Sequence, residues 1–221
     1  MQTAIAKLDA PGRETPRPER PRLDRDARRE RILDVATEVF LEEGFASASM
    51  STIAARLGGS KGTLYNYFKS KDDLFAAYVE RRCVWQQDEV FAVKPGETPD
   101  EAVHRIARSF LAFVVDETTV RNFRVVVGEA ERSPEIGAIF YNAGPVRGTA
   151  RLAAFLAELE ADGALDLEGD ALGAAQHLLG LVQAPTFKGR LCNAIADLSE
   201  ADLDREASRG VRAFLRAYRR R

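Results

Sequence analysis

Ser49-Met50-Ser51-Thr52-Ile53-Ala54-Ala55-Arg56-Leu57-Gly58-Gly59-Ser60-Lys61-Gly62-Thr63-Leu64-Tyr65-Asn66-Tyr67-Phe68-Lys69-Ser70-Lys71 reads as two short helices joined by a tight turn. Ser49 is an N-cap residue whose hydroxyl accepts from a free backbone N–H two or three positions on. Ile53, Ala54 and Leu57 then share one face, and Ala54 is small enough for a close helix crossing. Gly58-Gly59 supplies the left-handed backbone that ends a helix. Ser60 caps the second helix, which Leu64 and Phe68, four apart, pin to the first. Tyr65, Asn66 and Tyr67 are left on the outside. A second helix this short and polar is not only core; it suits a side-chain surface placed in a DNA major groove.

The chemistry of the outer residues fits that placement. A helix start offers free N–H groups and a positive dipole end to a phosphate. Gly62 lets backbone approach closely, tyrosine hydroxyls donate to phosphates, and Asn66 has the amide that pairs with adenine. Between Gly44 and Lys71 lie four basic residues (Arg56, Lys61, Lys69, Lys71) and no acid, a local basic window flanked by Glu42-Glu43 and Asp72-Asp73. The competing reading is an ordinary helical hairpin in an all-α core, with the tyrosines half buried.

Gly44-Phe45, Ile53-Ala54, Ser60 through Phe68 and Ser70-Lys71-Asp72-Asp73-Leu74-Phe75 resemble the N-terminal domain of the TetR/AcrR family of bacterial transcriptional regulators, over about residues 26 to 78. The resemblance implies a three-helix DNA-binding domain, a fourth helix leading to an all-helical regulatory domain, and a homodimer on a palindromic operator. It puts Lys61, Gly62, Thr63, Tyr65, Asn66 and Tyr67 at the DNA, with Asn66 and Thr63 as base readers. Ser49, Ser51 and Thr52 would touch backbone, and Lys71 a phosphate. Two positions depart from the pattern: Gly59, where the family commonly has valine, and Ala48-Ser49, where paired threonines are frequent. Further on, Arg124 to Glu135 and Phe140-Tyr141-Asn142-Ala143-Gly144-Pro145 are similar to the regulatory domain of the AefR-like branch.

The rest of the chain carries helical periodicity and no strand pattern, so the fold is expected to be all-α with nine or ten helices. Residues 1–23 form a proline-broken tail, either plain disorder or an arginine-bearing arm (Arg13, Arg17, Arg20, Arg22) for a minor groove. Residues 24–70 are the DNA-binding domain and 71–221 the regulatory and dimerisation domain. The fourth helix is expected to run to about Phe91. Thr98-Pro99-Asp100-Glu101 is a strong helix start, and Gly144-Pro145 is expected to break a helix before a long one with Val146, Leu152, Phe155, Leu156 and Leu159 inward. Two long helices follow, at about 168–186 and 200–218. In the resembled family such a pair makes a four-helix bundle between subunits. Leu172, Ala175, Leu179 and Val182 on one, and Val211, Phe214, Leu215 and Tyr218 on the other, are the expected dimer surface. The alternative is that these faces serve only the intramolecular core.

An effector pocket is expected among the middle helices, walled by Trp85, Phe110, Phe113, Phe123 and Tyr141, with Phe140 and Phe155 available as well. His104, Arg124 and His177, or Asn142 and Gln183, would orient a polar group. Such pockets are mostly apolar, so the default ligand is a small lipophilic molecule.

Composition narrows the remaining classes. Residues 1–75 carry 13 basic and 12 acidic side chains and residues 76–221 carry 19 and 22, so global charge alone would not have suggested DNA. No apolar run is long enough to span a bilayer, and no apolar signal core opens the chain. Cys83 and Cys192 stand alone, which suits a reducing cytoplasm and packed thiols, with a disulfide or redox sensor as the alternative. The two histidines have no ligand partner at metal spacing, no Gly-rich loop follows a strand, and the acidic pairs sit at helix ends. No metal, cofactor or catalytic group is expected. A different class, a protein-interaction or ligand-sequestering module of the same fold, is the main competitor.

Overall fold

The computed structural model describes residues 22–82 and 88–220. The tail at 1–21, Cys83 and Trp85 lie outside the described residues. Twelve α-helices run through the described residues: α1 Arg22–Ser47, α2 Met50–Arg56, α3 Lys61–Tyr65, α4 Lys71–Arg82, α5 Asp88–Phe91, α6 Pro99–Val115, α7 Glu117–Ala130, α8 Pro134–Tyr141, α9 Arg147–Ala161, α10 Ala171–Gln183, α11 Phe187–Leu191 and α12 Glu200–Tyr218. Two of the short ones, α5 and α11, exceed the expected count. They are single turns, too brief to show a 3.6-residue period. Among the described residues the only extended pairing is one bridge, Leu165 with Arg219. No helix described is long and apolar enough to cross a membrane.

Helix ends fall where side-chain chemistry sets them. Gly44, at φ 75°, breaks α1 three residues before its end. Ser70 Oγ accepts from Asp73 N at the start of α4. Thr98 and Glu101 form a reciprocal capping box on α6. Gly144-Pro145 does not end a helix as expected. Residues Asn142–Val146 form a π turn that carries α8 directly into α9. A proline lacks the N–H of an α-helical ladder and its ring crowds the carbonyl four residues back; the wider π register accommodates both. The same turn rotates Val146 outward, leaving it 43% exposed rather than buried. Cys192, expected to be packed, is exposed after α11.

Two apolar cores result. One joins α6, α9, α10 and α12 around Ile106, Leu111, Leu152, Leu156, Leu178, Val182 and Phe214. The other joins α1 to α4 around Ile32, Leu33, Phe40, Ile53, Leu64 and Leu74, and it also includes Val126, Ile136 and Ala143 from α7, α8 and the π turn. Phe40, Phe45 and Phe75 pack ring to ring with centroids 5.0–5.5 Å apart. Helix α4 is held against α1 by Arg81, which reaches Asp34 at 2.8 Å and Glu30 at 3.2 Å. Its outer edge is tied to α9 by Glu80 and Arg147 at 2.5 Å.

The loop between α5 and α6 is organised by one ion pair. Arg105 donates to Glu97 at 2.7 Å and to the carbonyls of Val90 and Ala92. The Arg105 hydrogen bond, followed by one from the backbone of Lys94, lowers the Glu97 carboxyl from 4.5 to about 2. A depressed carboxylate contributes stability above its unfolded value and loses it as pH falls towards the folded one. The melting-temperature gap between wild type and Glu97→Gln should therefore be full above about pH 5 and close as pH drops towards about 2. A gap that stays constant through that window would show that ionisation of Glu97 does not stabilise the loop.

Candidate nucleic-acid interface and internal cavity

Helices α2 and α3 form the expected pair. Ser49 Oγ accepts from Thr52 N at 3.0 Å and Ser60 Oγ from Thr63 N at 3.2 Å. Gly58 turns the chain at φ 67°. Leu64 and Phe68 are buried in the core with Ile53 and Ala54. That anchoring leaves Lys61, Gly62, Tyr65 and Asn66 exposed on one side of α3, with Ser51 exposed at the start of α2. Ser49, Thr52, Thr63 and Tyr67 are half-buried at its edges. None of the ten residues expected at DNA is buried.

Two members of the basic window are engaged internally. Arg56 bonds Glu42 at 2.6 Å and reaches Glu43 at 3.5 Å. The Lys71 ammonium donates to the carbonyls of Phe45 at 2.7 Å, Ala48 at 3.0 Å and Ala46 at 3.4 Å, and lies 4.2 Å from the Phe45 ring centre. An ammonium has three donors, and all three face the end of α1 and the link to α2. Lys71, expected at a phosphate, instead closes the joint beneath the reading helix. Lys61 and Lys69 are exposed, as is Arg56, which is held by its two glutamates.

A cavity of about 540 Å³ lies behind this head. Phe75, Tyr78, Val79 and Arg82 of α4 form part of its wall, Phe110, Phe113 and Val114 of α6 another, and Thr119, Asn122, Phe123 and Val126 of α7 a third. Phe140 and Tyr141 of α8, Gly144 and Pro145 of the π turn, and Gln176, Leu179, Gly180 and Gln183 of α10 complete most of the rest. Five of the expected aromatics are therefore in place: Phe110, Phe113, Phe123, Phe140 and Tyr141. Of the expected polar residues Gln183 lines the cavity, while His104, Arg124, Asn142 and His177 do not. His104 bonds Ser208 at 2.9 Å across α6 and α12, and His177 bonds the Tyr218 hydroxyl at 2.5 Å on the outer side of α10. Arg124 turns away to the carbonyls of Leu191 and Arg190 and to Asn193, fastening α7 to α11. Phe155 belongs to the other core.

Comparison with known proteins agrees with this geometry. The sequence model for bacterial regulatory proteins of the tetR family matches residues 32–78. The model for the AefR-like transcriptional repressor C-terminal domain matches residues 101–220, more than half of the chain. The chain belongs to the TetR family. It is a DNA-binding transcriptional regulator with an AefR-like C-terminal domain. The transcriptional regulator UidR of Escherichia coli K12 is 29% identical over 193 residues, spanning 85% of this chain and 90% of its own. The transcriptional activator FasR of Mycolicibacterium smegmatis is 47% identical over 60 residues, 27% of each chain. Among solved structures, the flavonoid-responsive regulator FrrA superposes with a TM-score of 0.75 at 32% identity, covering 89% of this chain and 99% of its own.

Within the TetR fold, the residues expected at a dimer surface divide sharply. Ala175, Val182, Val211 and Phe214 are buried inside this chain's own core, and Leu179 faces the cavity. Leu172 is 52% exposed, and Leu215 and Tyr218 are half-buried. The exposed residues of α10 are Leu172, Gln176, His177, Gly180 and Leu181, of which only Leu172 belongs to the expected face, and Gln176 and Gly180 also line the cavity. The reason is that α12 and α9 already cover the more apolar side of α10. Sequence reading also missed Arg82, Thr119, Asn122 and Gln176 as cavity residues. Asn122 carried a signal: it is a polar residue on the same helical face as Thr119 and Val126.

Proposed function

We propose that the protein is a cytoplasmic repressor that binds a palindromic operator as a homodimer and leaves it when a small lipophilic effector fills the cavity. Residues 24–70 read the DNA and 71–221 bind effector and partner. Lys61, Gly62, Thr63, Tyr65, Asn66 and Tyr67 meet the major groove, while Ser49, Ser51 and Thr52 meet phosphates. Lys71 acts through the joint it closes. The dimer forms on the outward faces of α10 and α12, through Leu172, Leu181 and Tyr218, with Gly180 allowing close approach because a side chain there would meet nothing within 4 Å in the monomer. The flavonoid-responsive relative supports an aromatic effector, and the AefR-like domain description supports repression.

The observation that carries this reading is the double duty of α4. Its buried side packs the reading head through Leu74 and Phe75, and Phe75, Tyr78, Val79 and Arg82 also line the cavity. A ligand pressing on α4 moves the head to which α4 is packed. Half-sites of a palindrome must be met about 34–36 Å apart, so a small displacement in each subunit weakens the operator complex. The two states need differ in effector affinity by only a few kcal/mol, roughly 100-fold, for occupancy to switch.

Selection of duplexes from a random DNA pool by the purified protein tests this directly. Enrichment of one palindrome, released when an aromatic lipophile binds, is the expected result. A folded dimer that enriches nothing would move the assignment to a sequestering module. The same duplex distinguishes the roles of two lysines. Lys61→Ala should reduce the salt dependence of binding by about 0.9 in log–log slope for each phosphate contact removed. Lys71→Met should leave that slope unchanged but lower folding stability by about 2 kcal/mol, since it removes charge-assisted hydrogen bonds to three carbonyls. A fall in slope without loss of stability would return Lys71 to the phosphate.

A further inference from the structure

The cavity wall is mostly apolar; its polar side chains include Arg82 of α4, Thr119 and Asn122 of α7, and Gln176 and Gln183 of α10. Asp116 caps α7 by accepting from Thr118 N and Thr119 N, and the Arg82 guanidinium stands 3.6 Å from the same carboxylate. Asn122 lies six residues further along the same helix, about 9 Å along its axis. Two polar atoms of this group are buried without a hydrogen-bond partner among the described residues: Arg82 Nε, a donor, and Asn122 Oδ1, an acceptor. Both residues line the cavity. Buried polar atoms are ordinarily paired, so two unpaired ones, on the α4 and α7 parts of the cavity wall, mark where a ligand's polar groups belong.

The geometry points to a hydroxylated lipophile as the effector: an apolar, aromatic-compatible body with a hydroxyl that donates to Asn122 Oδ1 and an oxygen, the same or a second, that accepts from Arg82 Nε. This rests on the effector reading of the cavity. The two atoms together discriminate among lipophile classes. A hydrocarbon leaves both without a partner. An ether or ketone satisfies Arg82 alone. A carboxylate also satisfies Arg82 but brings a negative oxygen, with no proton to give, towards the Asn122 acceptor. A neutral hydroxyl is the simplest group that donates and accepts at once. The contact would also bridge α4 to α7, at the end of the helix that supports the reading head.

Three probes of one shape test the inference on the full-length protein by titration calorimetry: 4-phenylphenol, its methyl ether, and biphenyl-4-carboxylate. The phenol is expected to bind about tenfold tighter than the ether, and tighter than the carboxylate. Asn122→Leu should erase that preference by weakening the phenol while leaving the ether unchanged, which also shows that the variant is folded. Asn122→Asp keeps an acceptor and should retain the preference. Equal binding of phenol and ether by the wild type, or a preference that survives Asn122→Leu, overturns the hydroxyl inference and leaves the cavity as an effector site. Binding of none of the three overturns both.

Discussion

Tyr65→Ala combined with Asn66→Ala is expected to weaken operator binding roughly 100-fold while leaving thermal stability almost unchanged. Tyr65 is 49% exposed and Asn66 is exposed beside it, on a helix of five residues. Neither side chain supports the fold, because α3 is held from beneath by Leu64 and Phe68. Loss of a good base contact costs about 1–3 kcal/mol, so the two losses cost at least about 2 kcal/mol on a single reading head, and the roughly 100-fold effect is a lower bound for the dimer. Binding to random-sequence DNA at low salt should fall much less, since Lys61 and Lys69 remain. The measurement is a fluorescence-anisotropy titration of the selected duplex beside a melting curve. Near-wild-type affinity would show that α3 does not read the groove with this face. A parallel fall in melting temperature would make the loss structural instead.

Gly210→Leu is expected to destabilise the C-terminal bundle by at least about 3 kcal/mol. Helices α10 and α12 cross at Gly210, where an added Cβ would stand 2.8 Å from Val182 Cγ2, 2.9 Å from Val182 Cα and 3.0 Å from Val182 N. Two of those atoms are backbone and cannot rotate aside. The usual gain in helix propensity on replacing glycine, about 1 kcal/mol, is too small to offset moving two packed helices apart. Val182 and Phe214 are both fully buried at this crossing, so separation also opens the core. Gly128→Ala at an exposed position of α7, where a Cβ meets nothing within 4 Å, is the contrasting variant and should stabilise slightly. Chemical denaturation of both settles the matter: equal effects would mean that α10 and α12 are not in contact at Gly210.

Both predictions bear on how much of this protein is legible in its linear order. The reading head was almost entirely so. Its caps, its left-handed glycine and its apolar anchors act between residues a few positions apart, and local chemistry of that kind is written in sequence spacing. The all-α class and the helix starts at Ser70 and Thr98 were legible for the same reason. The break expected at Gly144-Pro145 failed because a π turn absorbs the proline once α8 and α9 are packed on either side. That outcome depends on neighbours, not on the dipeptide.

The cavity and the subunit surface belong to tertiary structure. Periodicity shows that one face of α10 is apolar; it cannot show whether α12 of the same chain or a second copy covers it. Here α9 and α12 take Ala175, Val182, Val211 and Phe214 inward, so the outward strip is Leu172, Gly180 and Leu181. Likewise His104, Arg124 and His177 had the right chemistry for a ligand contact but found partners far away in the chain, at Ser208, Leu191 and Tyr218. Arg82 and Asn122 took the cavity wall, and Lys71 turned from a phosphate to three carbonyls. By itself the sequence determined the helices, their caps and the DNA-reading surface, because those follow from interactions of short range. Which polar groups remain free to meet a ligand was decided only by folding, because it depends on pairings across tens of residues that no local pattern records.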